Sequence, residues 1–244
     1  MKTNRIFSIV ALVIFVFPLA AVADGGYVNC IGLPTENEIK ELLIQAADIP
    51  DAGGLFSGAR MWGAVVNRDG QICAFATSTA NPSDVWPGSQ AIAKAKAYTA
   101  NAFSLDGLAL STARLYTFTQ PGHSLWSLGQ SNLFNPQFLS PLGGQGGGKN
   151  QIAGGLIFFG GGVPLYKDGK IIGGLGVSGD TSCTDHEIAK RVRDLAGLNP
   201  PGGALVDDIT YSSADGASVF THPLCVNTYR NGVSIGTEPP ATGY

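Results

Sequence analysis

Apolar positions along the chain follow two alternating periods. Ile39, Leu42, Leu43 and Ala46 recur at helical spacing behind Thr35-Glu36-Asn37-Glu38, a capping box, and predict a first helix over 36–48 that ends before Pro50. Met61 to Val66 and Ile72 to Thr77 read as strands joined by the tight turn Arg68-Asp69-Gly70. After the loop Val85-Trp86-Pro87-Gly88, Ser89 is placed to cap an alanine-rich helix from Gln90 to Phe103. A short helix is predicted over Leu108 to Phe118, and a strand over Ile152 to Phe159. Val163 to Tyr166 and Ile171 to Ser178 form a second hairpin around Asp168-Gly169, a pair suited to positive φ. A second capping box, Thr184-Asp185-His186-Glu187, opens a last helix that Gly197 stops.

The predicted order is α-β-β-α-α-β-β-β-α. Hairpin-linked strands give an antiparallel five-stranded sheet flanked by helices, an α+β fold with a profilin-like layout. Gln120 to Asn150 is the least regular stretch and carries a run of glycines from Gly143 to Gly148. Pro200 to Tyr244 reads as loops with one strand near Ile209.

The first 23 residues change the picture. Lys2 and Arg5 precede an apolar run from Ile6 to Ala20, followed by Ala21-Val22-Ala23, a small-x-small cleavage site. The run is shorter than the ~20 residues of a membrane span and is interrupted by Pro18. It reads as a cleavable signal peptide over 1–23, which places the mature chain in the periplasm or outside the cell, without a membrane anchor after cleavage. A domain over 24–198 and a C-terminal extension over 199–244 follow. The formal charge of −3 and 14% charged residues lack the basic face that nucleic acid demands. In an exported chain, Cys30, Cys73, Cys183 and Cys225 read as two disulfides. Cys30–Cys73 and Cys183–Cys225 are the favoured pairs of three pairings, the second tethering the extension.

The most distinctive run is Gly160-Gly161-Gly162-Val163-Pro164-Leu165, then Asp168-Gly169, then Ile172-Gly173-Gly174-Leu175-Gly176-Val177-Ser178-Gly179, with Asp185 beyond it. With Lys94-Ala95-Lys96-Ala97-Tyr98-Thr99-Ala100 upstream, this string closely resembles the GlcG/HbpS family over Thr35 to Leu198. That family includes haem-binding and haem-degrading proteins and the C-terminal domain of PduO-type proteins. The resemblance implies haem or a related tetrapyrrole as ligand, and a homo-oligomer. Lys96 occupies the family's recurrent lysine position, which implies a cleft-facing cation for a propionate.

Residue chemistry adds candidates and removes others. Gly174-x-Gly176-x-x-Gly179 matches the dinucleotide fingerprint in letters, but a hairpin strand precedes it where a βαβ unit is required. Gly176-Val177-Ser178-Gly179 is not a nucleophile elbow, so a triad of Ser178 with His186 or His123 and Asp185 has no supporting turn. Ser178 and Asp180 are expected to shape the end of the strand, with the backbone N–H groups of Gly179 and Asp180 facing a ligand in a pocket that Gly161, Gly162 and Ser178 line. His123, beside Leu125 and Trp126 in the long loop, is the candidate iron ligand, with Tyr98 and Tyr166 as phenolate alternatives. His186 is expected to be exposed and His222 structural. Two functions follow: an exported haem-binding protein, or an enzyme for a small anionic or aromatic metabolite using Lys96, Ser178 and Asp180.

Overall fold

The computed structural model describes residues 29–135 and 151–240; the expected signal peptide lies outside them. Among the described residues, no helix is long and apolar enough to cross a membrane. Helix α1 (Glu36–Asp48) begins at Thr35 as the capping box requires, with Glu38 Oε2 accepting from the Thr35 amide at 2.7 Å. Strands β1 (Trp62–Asn67) and β2 (Ile72–Thr77) form the first hairpin, and β3 (Gly162–Lys167) and β4 (Lys170–Ser178) the second. Between the hairpins lies α2 (Ser89–Phe103), and after them α4 (Ser182–Leu195), with the single turn α3 (Leu128–Ser131) between α2 and β3.

The sheet is antiparallel with order β2-β1-β4-β3. It has four strands where five were expected. The segment Ile152 to Phe159 makes two isolated bridges, Gln71 to Ile152 and Phe134 to Gly154, and then runs as extended chain. Gly154 and Gly155 hold φ of 69° and 76°, which no regular strand accommodates. Side chains anchor the segment instead: the Ile157 amide donates to Thr99 Oγ1 at 3.0 Å and the Thr112 hydroxyl donates to the Phe159 carbonyl at 2.6 Å. The helix expected over Leu108 to Phe118 is two 3₁₀ turns, Thr112–Leu115 and Thr117–Thr119. There the hydroxyls of Ser111 and Thr112 bond to Asp207 and Phe159 carbonyls, drawing the backbone away from a regular helix.

Period-two alternation sorts the sheet's side chains into two layers. Trp62, Ala64, Val66 and Phe75 face α2, where Ala93 and Ala97 meet them. Val65, Val163, Leu165, Leu175 and Val177 face Ile39 and Leu43 of α1 and Ile188 and Val192 of α4. Register pairs Ala64 with Gly176 and Val66 with Gly174, so both glycines lie on the α2 face. A Cβ on Gly176 would run into the Ala93 carbonyl oxygen, and one on Gly174 into that of Ala97. The glycines let a helix backbone rest directly on the central strand.

The extension carries more structure than expected. A turn of helix α5 (Ser212–Asp215) and a hairpin of β5 (Thr228–Arg230) and β6 (Val233–Gly236) pack it against α4. Buried ion pairs hold it: Arg193 to Asp207 at 2.7 Å and Lys190 to Asp208 at 3.1 Å. Both expected disulfides are present, Cys30–Cys73 and Cys183–Cys225. Each closes a loop of just over forty residues, worth roughly 4 kcal/mol in the chain-entropy account. Gly176→Ala is expected to destabilise the protein by about 3 kcal/mol through overpacking against α2, read as a lower urea midpoint at unchanged slope.

Candidate functional site

The glycine-rich end of β4, the start of α4 and the middle of α2 converge on one buried ion pair. Helix α4 starts at Ser182, two residues before the expected box, and Thr181 caps it by accepting from the Thr184 amide at 3.3 Å. One turn in, Asp185 Oδ2 accepts from Lys96 Nζ at 2.6 Å, with the two residues 2% and 0% exposed. Lys96 Nζ also donates to the Val177 carbonyl at 3.0 Å. Burial lowers the Lys96 ammonium and raises the Asp185 carboxyl to about 6, while their direct contact opposes both shifts.

The expected ligand cradle is filled from within. The amides of Gly179 and Asp180 donate to Asp185 Oδ1 at 3.0 and 2.9 Å. The Asp180 carboxylate in turn accepts from the amides of Leu55 at 2.7 Å, Phe56 at 2.8 Å and Thr181 at 2.7 Å. Gly161 and Gly162 are buried against Lys96 and Thr112, and Ser178 is 3% exposed on β4 opposite Trp62. Lys96, Gly161, Gly162, Ser178, Gly179 and Asp180 are therefore brought together, but as an interior network and not the wall of an open cleft. Asp185 occupies the Gly179 and Asp180 N–H groups assigned to a ligand, and it also holds Lys96 where a propionate was expected. The metabolite-enzyme reading loses its three residues for the same reason.

The histidines sort differently from expectation. His186 is buried, 3.5 Å from Asp208 and not beside Ser178, so no triad forms with Asp185. His222 is 1% exposed. Its Nε2 accepts from the Gly160 amide at 3.2 Å and its Nδ1 donates to the Pro223 carbonyl at 2.7 Å, which fixes a neutral ring. Burial pushes it down to about 4. His123 is exposed on the turn that leads into α3. Tyr166 donates its hydroxyl to the Leu105 carbonyl at 2.7 Å and is pushed up to about 12 by burial, which removes it as a phenolate ligand. Tyr98 is half-buried against Gly70.

An open, largely apolar groove lies elsewhere, on the side of α2 turned from the sheet. It measures about 260 Å³ and is lined by Ala91, Ile92 and Ala95 of α2, Leu133 and Phe134, and Gly155 to Ile157. Gly129 within α3 and Asn132 just past it complete the groove, a few residues after His123 and the half-exposed Trp126. The signal for this site was a second apolar stripe, Ala91, Ile92 and Ala95, on a helix whose sheet side was already supplied by Ala93 and Ala97.

A family model described as haem degrading protein HbpS-like matches residues 43–194. The chain belongs to the HbpS-like family. The PduOC:heme complex is similar at 24% identity over 67% of this chain and 92% of its own, TM-score 0.47. Protein ORFY of Klebsiella pneumoniae is similar at 22% identity over 66% and 86%, TM-score 0.46. A double mutant of HbpS from Streptomyces reticuli is similar at 19% identity over 76% and 97%, TM-score 0.41. No curated protein matches the chain. The HbpS-like match contains the Lys96–Asp185 pair and the apolar groove, whereas Cys30, Cys225 and the extension fall outside it.

Two outcomes are expected. Lys96→Met leaves Asp185 buried without a counter-charge and should cost about 3–5 kcal/mol, and the double variant with Asp185→Asn should cost less than the two single changes summed, in a urea double-mutant cycle. His222, at about 4 when folded against an ordinary 6.5, stays neutral in the native state while the unfolded state takes up a proton. Its contribution is complete above pH 6.5 and falls by about 3 kcal/mol as pH drops to 4. Asp185, raised to about 6, works in the opposite direction between pH 6 and its ordinary 3.8. The stability difference between wild type and His222→Gln should therefore narrow by about that amount from pH 6.5 to 4, followed by urea denaturation at stepped pH.

Proposed function

We propose that this chain is an exported haem-binding protein that takes haem or a related tetrapyrrole in the apolar groove beside α2. The groove is the observation that carries the reading: small residues, Ala91, Ala95 and Gly155, leave a flat apolar floor that Ile92, Leu133, Phe134 and Ile157 border. A haem also asks for an imidazole or phenolate, and exposed His123 precedes the α3 wall of the same groove. The groove is slightly smaller than enclosed ligand pockets of roughly 300–1,000 Å³, which fits a ligand held by one face with the rest open. His123 would hold the haem iron there, and the bound group would supply redox or ligand-binding chemistry. Family membership and the name of the family model support the ligand class. The two oxidised cysteine pairs support export, since such pairs persist outside the reducing cytoplasm.

Titration of the purified protein with hemin should give a saturable Soret shift. Leu133→Asp, which sets a charge on the groove, should weaken binding about tenfold or more, at the cost of burying an unpaired carboxylate. His123→Ala should alter the Soret position while zinc protoporphyrin still binds. Absence of saturation with hemin, or indifference to Leu133→Asp, sinks the reading.

A further inference from the structure

We infer that Cys183–Cys225 is a thiol–disulfide exchange site whose reduced form the fold stabilises. Cys183 lies in the first turn of α4, a helix of 14 residues. The sulfur of Cys225 accepts from the Cys183 amide at 3.2 Å and lies 3.3 Å from the Ser182 hydroxyl. On the other side, Cys183 Sγ lies 4.0 Å from His222 Nδ1, the nitrogen that carries the ring proton. At Cys225 the helix-terminal N–H and the hydroxyl are surroundings that favour a thiolate over a thiol, while the His222 N–H is given to the Pro223 carbonyl, which also lies 3.6 Å from Cys183 Sγ. Cys30–Cys73 differs. Cys73 is the second residue of β2 and Cys30 precedes α1 by six residues, so neither sulfur sits at a helix start.

Exchange with a dithiol reductant balances as follows. A thiolate of the reductant attacks Sγ of Cys225, a residue 7% exposed against 1% for Cys183. The S–S bond breaks and Cys183 leaves as a thiolate beside His222. The reductant's second thiolate then attacks its own sulfur in the mixed disulfide, which forms the reductant's internal disulfide and releases Cys225 as a thiolate toward the Cys183 amide and the Ser182 hydroxyl. Two electrons pass from the dithiol to the cysteine pair, and the thiolates take protons from solvent in proportion to their pKa values. The extension stays docked throughout, because the Arg193–Asp207 and Lys190–Asp208 pairs do not depend on the disulfide. A stabilised thiolate lowers the free energy of the reduced form, and so makes the bond easier to reduce at equilibrium.

The purified protein, equilibrated at pH 7 in graded ratios of reduced to oxidised dithiothreitol and approached from both directions, would be alkylated and mapped by mass spectrometry. Cys183–Cys225 is expected to open at the lower ratio, with Cys30–Cys73 still closed. Ser182→Ala and Ser182→Gly, which both remove the hydroxyl, should each shift its midpoint roughly tenfold toward more reductant, the size of one lost hydrogen bond to a charged group. They should leave the Cys30–Cys73 midpoint in place, which separates a local effect from general loosening. If Cys30–Cys73 opens first, if the two open together, or if both variants leave the Cys183–Cys225 midpoint unchanged, the inference is overturned.

Discussion

The close seat of α2 on β4 is the constraint on which the remaining architecture rests. Gly174 and Gly176 face α2, and a side chain at either would collide with a helix carbonyl. The alanines at 93 and 97 match them from the helix side. That proximity brings Lys96 within reach of the far end of β4 and of Asp185 on α4. A longer helix–sheet distance would leave the ammonium short of its partner, so one contact between backbones fixes the relative placement of three elements. Leu175 and Val177, on the other face of the same strand, meanwhile hold α1 and α4.

Electrostatics in the interior follows from this packing. Turns rich in N–H groups are anion cradles wherever they occur, and here the chain supplies the anions itself. Asp185 answers Gly179 and Asp180, and Asp180 answers the loop from Leu55 to Gly58. Asp51, Gly53, Gly54, Ser57 and Gly58 all hold positive φ around that loop, a local conformation kept in place by the carboxylate it encloses. The part of the chain that most resembles a binding motif is thus a structural keystone, and the open apolar groove lies behind α2.

Local chemistry was legible wherever one segment decides its own form. The Thr35 box, the Asp168-Gly169 turn and the two hairpins could be read from neighbours a few residues apart, and the cysteine pairs from the even count and layout of the four cysteines. What escaped was set by partners far along the chain. Ile152 to Phe159 has a strand's composition, yet Gly154 and Gly155 turn it across α2, where Thr99 and Thr112 hold it. Lys96 and Asp180 look like ligand groups until the partners 89 and 125 positions away are known. His186 looked exposed because a polar first turn is normally solvated. The extension covers it, and nothing in the helix's own pattern announces that cover.

That cover has a bearing on the order in which the protein acquires its shape. Arg193 and Lys190 are buried on α4, and their counter-charges, Asp207 and Asp208, come later in the chain. During synthesis from the N-terminus, α4 leaves the ribosome with Glu187 beside Lys190 but with no acidic partner to bury Arg193 against. Docking α4 in its final environment must wait for the segment that follows it. The last helix of the core and the residues beyond it consequently mature as a single step, and a nascent chain stays open to handling by other factors until that step is reached.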